Sequence, residues 1–131
     1  MILFKSDMAQ AILEGRKTVT RRRGKRRWRV GSIHQCYTRP AFAHPPGKPF
    51  ARVLILAVEA EERPGASLAA IRKSWVPAFQ REARREGFRA WPDFADAWLA
   101  MHGEKALGEP CWRVAFSLVE AMPEAGDYRR R

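Results

Sequence analysis

Four residues, Met1 to Phe4, open the chain with apolar side chains and read as a short first strand. From Ser6 the spacing changes, and Met8, Ile12 and Leu13 recur at the three-to-four-residue interval that puts side chains on one helix face. Ser6 or Asp7 is placed to cap that helix, Asp7 and Gln10 have the spacing of a capping box, and Gly15 supplies a left-handed stop. Ile33 to Thr38 sets Ile33, Gln35 and Tyr37 against His34, Cys36 and Thr38, which is the two-residue period of a strand. Four prolines between Arg39 and Pro49 mark a loop. From Phe50 to Ala60 the run of Val53, Leu54, Ile55, Leu56 and Val58 is nearly continuous, which predicts a central strand buried on both faces.

Pro64 and Gly65 break that strand, and Ser67 caps a predicted short helix reaching about Lys73. A second predicted helix runs from Pro77 to Glu86 and stops at Gly87, after which Phe88 anchors the chain to the core. Pro92 starts a third, with Trp91, Phe94, Trp98 and Met101 as its apolar stripe. Gly103 to Pro110 reads as a turn. Cys111 to Val119 then closes the fold as a strand with Trp112, Val114, Phe116 and Leu118 on one face. No repeat and no domain boundary interrupts this order. It predicts a single α+β domain over residues 1–120, a small curled sheet or barrel flanked by helices, with a frayed tail from 121 to 131.

Length and composition narrow the class. A chain of 131 residues buries roughly two-thirds of its unfolded surface without staples. Cys36 and Cys111 are far apart and read as small buried hydrophobes with reduced thiols, which places the protein in the cytoplasm. No apolar run approaches the roughly 20 residues a spanning helix needs, so no membrane partner is expected. His34, His44 and His102 lack the close pairing with Cys or carboxylate that zinc requires, so neither metal nor cofactor is expected. The formal net charge of +11, from 25 Lys and Arg against 14 Asp and Glu, makes a surface that attracts polyanions.

That charge is concentrated. Between Arg21 and Arg29 the residues Arg21, Arg22, Arg23, Lys25, Arg26, Arg27 and Arg29 surround one Gly and Trp28. Clustered cations with an interleaved aromatic suit phosphate contacts plus base stacking, although the same run also reads as a solvated loop. Just upstream, Lys17 and Thr20 lie three apart where the helix cap gives way to β-favouring Thr-Val-Thr, with Arg16 beside them. On a straight strand those two side chains would face opposite ways, so only a bend before the strand lets both enter one cavity. A Thr hydroxyl needs a base to become a nucleophile, and a Lys serves as one when burial or neighbouring cations lower its pKa from about 10.4. Glu86, at a helix end before Gly87 and Phe88, is the candidate carboxylate. Taken singly, the three also read as a surface Lys, a strand Thr and a helix-terminal Glu.

The stretch Ile12-Leu13-Glu14-Gly15-Arg16-Lys17-Thr18-Val19-Thr20-Arg21-Arg22, followed by Gly31, resembles the opening signature of the ASCH family, relatives of the PUA RNA-binding fold. Glu86-Gly87-Phe88 with Phe94 and Trp98, and the strand around Val114-Ala115-Phe116, resemble its second half, so the likeness spans most of residues 1–119. It implies a PUA-like β-barrel with helices around a cleft, and nucleic acids or modified nucleosides as ligands. One branch removes the acetyl group from N(4)-acetylcytidine with a Lys, a Thr and a Glu. By motif these fall on Lys17 as base, Thr20 as nucleophile and Glu86 in proton transfer, while Arg22 matches the family Arg two residues past the Thr. The chain departs in having Gly31-Ser32 where many members have Gly-Asp, and in its basic run, Pro-rich loop and longer helical insertion. These departures favour a polynucleotide ligand, and the alternative expectation is an RNA-binding module or ribonuclease acting through Arg21 to Arg29.

Overall fold

The computed structural model describes residues 1–62 and 77–122. Five strands form one sheet in the order β1-β3-β4-β5-β2, where β1 is Ile2–Leu3, β2 Val19–Arg22, β3 Ile33–Tyr37, β4 Ala51–Glu61 and β5 Cys111–Ala121. Only β1 and β3 pair in parallel; the other neighbours are antiparallel. The β4–β5 ladder shifts register between Arg52 and Val53 and again between Ile55 and Ala57. Such irregularities sharpen strand twist and bend a sheet. The two edges approach closely enough that Arg22 at the end of β2 donates through Nη2 to the Leu3 carbonyl of β1 at 2.7 Å. The result is a curled half-barrel with helices against it, in agreement with the expected α+β class.

Strand β4 lies centrally, as its hydropathy predicts, but it is buried on one face and not on both. Ala51, Val53 and Ile55 are buried, whereas Arg52 and Leu56 are exposed. Its unbroken apolar run therefore resembles a two-sided strand without being one. The inner face packs with Ile2, Phe4, Ile12, Phe50, Val114 and Phe116 into the main core. Strand β5 outruns that core, since Leu118 is exposed although its period puts it on one face with buried Val114 and Phe116. The strand ends at Ala121, and Met122 N then donates to Phe50 O at 2.7 Å.

Helix α1 spans Ser6–Leu13 and buries Ala9, Ala11 and Ile12, with Met8 and Leu13 partly covered by the core. Its N-cap is Lys5, without a side-chain cap, so the expected Ser6 or Asp7 cap and the Asp7–Gln10 box do not form. Asp7 Oδ1 accepts from Met8 N instead, and Gln10 Nε2 donates to Glu14. Gly15, at φ +78, makes the left-handed stop. Helices α2, Pro77–Arg85, and α3, Trp91–His102, enclose a second cluster of Ala83, Trp91, Phe94, Ala95, Trp98 and Cys111, with Phe88 packed on it. Met101, expected in the apolar stripe, stands exposed, whereas Ala95 is buried. A short 3-10 helix, Glu104–Gly108, fills the expected turn before β5. The helix predicted from Ser67 to Lys73 and most of the tail lie outside the described residues. Among those described, no helix is long and apolar enough to cross a membrane.

Candidate active site

Between the two apolar clusters runs a layer of charge, and it begins where α1 ends. The backbone amides of Arg16 and Lys17 both donate to Ala11 O, at 2.8 and 3.1 Å, so the chain turns back before it extends. Thr18 bridges the next elements: its N–H donates to Arg85 O at 2.8 Å and its carbonyl accepts from Phe116 N at 2.9 Å. Strand β2 starts only at Val19. Because residues 16 to 18 bend, Lys17 and Thr20 line the same cavity and do not face opposite sides. Glu86 arrives from the end of α2, where Gly87 at φ +94 lets the chain pass close. A Cβ on Gly87 would lie 3.1 Å from Met8 Sδ and 3.4 Å from Lys17 Cβ.

Lys17, Thr20 and Glu86 are the buried polar and charged residues of the described structure, each no more than 6 % exposed. Lys17 Nζ donates to Val19 O at 2.9 Å, to Glu86 O at 2.7 Å and to Glu86 Oε1 at 3.1 Å, which uses all three ammonium hydrogens. Arg21 Nη1 holds the other Glu86 oxygen at 2.7 Å. Arg21 also forks onto Glu61 at 2.7 and 3.1 Å and reaches Glu82 at 3.0 Å. Glu82 in turn takes Arg113 at 2.6 and 3.2 Å. Lys17, Arg21 and Arg113 are thus matched by Glu61, Glu82 and Glu86, as buried charge requires.

The electrostatics follow from this layout. Burial pushes the Lys17 pKa below the ordinary lysine value; the Glu86 charge and hydrogen bond oppose the shift, and Arg22 and Arg21 add to it. Burial alone would raise Glu82, yet its bonds and charges from Arg113 and Arg21 hold it down to about 2. The Arg21 guanidinium is held above its usual value, since Glu61 and Glu86 outweigh the burial that would lower it. Cys36 and Cys111 are both buried and unreactive, each thiol pushed by burial up to about 12.

The cavity encloses about 450 Å³. Phe88, Phe94 and Trp98 form one wall, with His102 at 4.4 Å from the Trp98 ring. Phe94 and Trp98 are stacked at 6.2 Å. Arg22 and Arg23 also line it, the first with its Nε 3.3 Å from Thr20 Oγ1, the second paired with Glu109. Of the other basic residues singled out from the sequence, Arg16 is exposed and paired with Glu14 at 2.6 Å. Lys25, Arg26, Arg27 and Arg29 are exposed and outside the cavity lining. Trp28 is half-buried and packs on the main core, and the Arg26 guanidinium lies 6.0 Å from the Trp112 ring.

Sequence reasoning missed Glu61, Glu82 and Arg113. Their signal was present: Glu82 precedes Glu86 by four residues across the end of α2, where Glu86 N still donates to Glu82 O, so both project from one face. Arg113 interrupts an apolar strand and pairs in register with Arg21 and Glu59 on its two sides. The cavity wall of Phe94 and Trp98 was read as core, which is also true of it.

The sequence matches no family model and no curated protein. Its fold is that of ASCH domains. The ASCH domain of Lactobacillus crispatus superposes with a TM-score of 0.57 at 15% identity, over 86% of this chain and 70% of the other. A variant of the ASCH protein of Zymomonas mobilis gives 0.53 at 18% identity, over 93% and 68%. Protein EF3133 of Enterococcus faecalis, from the DUF984 family, gives 0.53 at 16% identity, over 91% and 78%.

Proposed function

We propose that this protein hydrolyses the amide of an acylated nucleoside such as N(4)-acetylcytidine, without a metal or cofactor. The observation that carries the reading is the joint burial of Lys17, Thr20 and Glu86 against one cavity of about 450 Å³. That volume is in the range of small-molecule sites, and the Phe88, Phe94 and Trp98 wall suits a planar base. In this reading Lys17 sheds a proton to solvent, giving up one of its three hydrogen bonds, and the freed lone pair takes the Thr20 proton as Oγ attacks the amide carbon. The lowered Lys17 pKa increases the neutral fraction near neutral pH. Glu86 orients the amine and assists proton delivery to the departing nitrogen, and water then cleaves the Thr20 ester.

The test is release of cytidine from N(4)-acetylcytidine by the purified protein, beside Lys17→Ala and Thr20→Ala. Turnover in the parent and none in either variant is the expected result. Full turnover in Thr20→Ala would refute the nucleophile assignment.

A second reading, RNA binding with or without ribonuclease activity, is favoured by a different observation. Lys25, Arg26, Arg27 and Arg29 are exposed and have no carboxylate within ion-pair reach among the described residues. Engagement of about five phosphates would give log affinity a slope against log salt near −3.5 to −4.5. Replacing Arg26, Arg27 and Arg29 with Ser is expected to weaken binding alike for all RNA sequences and to flatten that slope. Unchanged affinity and slope would reject this surface.

A further inference from the structure

One half-buried cation of the site is out of keeping with the others; Lys5, which also lines the cavity, is exposed. Lys17, Arg21, Arg23 and Arg113 each contact a carboxylate. Arg22 contacts none among the described residues, although it is half-buried and lines the cavity. Its Nη2 is fixed by Leu3 O at 2.7 Å, its guanidinium lies 4.9 Å from the Phe4 ring, and its Nε points at Thr20 Oγ1 from 3.3 Å. Nη1 has no acceptor among the described residues. A half-buried guanidinium with no carboxylate in contact is costly to keep, and this one is held by Leu3 O beside the hydroxyl that would attack.

Resting on the hydrolase reading above, we infer that Arg22 is a catalytic residue which stabilises the oxyanion formed when Thr20 attacks. In that step the Thr20 Oγ–carbon bond forms, the Thr20 proton passes to Lys17, and the carbonyl π electrons move onto the carbonyl oxygen. The tetrahedral carbon then carries two oxygens, the Thr20 Oγ and the new anion. Their spacing resembles that of a carboxylate, the group that neighbouring guanidinium nitrogens fit as a fork. With Nε already on Oγ, the second arm of that fork is the Nη2 hydrogen that Leu3 O does not take. When the carbon–nitrogen bond breaks, the electrons on the oxyanion return to the carbonyl, the amine leaves with the proton that Lys17 took from Thr20, delivered with the help of Glu86, and Arg22 is again without an anion in contact. This is charge stabilisation present in the transition state and absent in the ground state, the kind that raises kcat.

The experiment compares parent and Arg22→Ala on N(4)-acetylcytidine, with and without millimolar guanidinium chloride, and records Tm for both. The expected result is a kcat about 100-fold or more lower in the variant, a KM within a few fold of the parent, and partial recovery of kcat by guanidinium in the variant alone. A parent that turns over beside a variant within threefold of it would overturn the assignment and leave the hydrolase reading intact. So would a large loss that guanidinium does not restore, which would mark Arg22 as a tie between β2 and Leu3 and no more. If Arg22→Ala does not fold, Arg22→Lys decides: a drop in kcat of more than tenfold at constant KM supports the oxyanion role, and a smaller one overturns it. A parent without turnover refutes the hydrolase reading and this role with it.

Discussion

Replacing Glu86 with Gln changes one oxygen for one NH2 group, yet it removes the charge that two buried cations share. Lys17 and Glu86 side chains are each 4 % exposed, and Arg21 is 6 % exposed. Both Glu86 oxygens are engaged, one at 3.1 Å from Lys17 Nζ and the other at 2.7 Å from Arg21 Nη1. Gln can keep one acceptor contact but presents donors to the remaining cation, and neither cation can turn to solvent. Breaking a buried pair from one side costs about 3–5 kcal/mol. At roughly 2.1 cal/mol/K of unfolding entropy per residue, this chain of 131 residues loses about 11–18 °C in Tm for that cost. The assay is thermal unfolding of the parent, Glu86→Gln, Lys17→Met and the double variant. Because Lys17→Met removes one of the stranded charges, the double variant is expected to be less destabilised than the sum of the two. A Glu86→Gln protein within about 4 °C of the parent, or strict additivity, would refute the claim that Glu86 carries the charge balance of this layer.

Two other outcomes follow from the same geometry. Gly87→Ala forces a side chain to adopt φ +94 and places its Cβ 3.1 Å from Met8 Sδ, so a loss of about 1–2 kcal/mol is expected by urea unfolding, and parental stability would show the approach to be unconstrained. Glu82 has a folded pKa of about 2 against an ordinary 4.5, so its contribution is complete above pH 4.5 and is lost as pH falls toward 2. Unfolding free energy is expected to decline through that window in the parent and less steeply in Glu82→Gln; parallel acid limbs would refute the assignment.

Much of the fold was legible because its elements obey local rules. Gly15 stops α1 with a positive φ, β4 is the central strand, and Phe94 and Trp98 pack at helical spacing. The misreadings have local causes. Asp7 spends its oxygen on the adjacent Met8 amide, so α1 starts without the cap its sequence offers. A continuous apolar run cannot say which face of β4 is covered, and Arg52 and Leu56 face outward. The cavity was anticipated as a condition, a bend before the strand, and residues 16 to 18 supply it. What periodicity cannot show is pairing across distance. Arg21 reads as one more cation in a basic run, and only the fold brings it against Glu61, Glu82 and Glu86. The same run held Arg22, whose lack of a carboxylate contact among the described residues becomes visible only in the fold.

Thr18 joins α2 to β5 through its two backbone hydrogen bonds, and Lys17 beside it is bonded to the last residue before Gly87. The unit of α2 and α3 is therefore latched to the sheet at the point where the lysine is dehydrated. A fluctuation that lifts this unit while the sheet stays intact rehydrates Lys17 and restores its ordinary proton affinity. Below the normal lysine pKa the lifted form binds the proton more tightly, so falling pH biases the latch toward opening as far as this group is concerned. Amide exchange at Thr18, whose N–H donates to Arg85 O, reports the opening directly, with Phe116, whose N–H stays bonded within the sheet, as the internal reference; its pH dependence beyond intrinsic exchange measures how strongly the lysine is coupled to it.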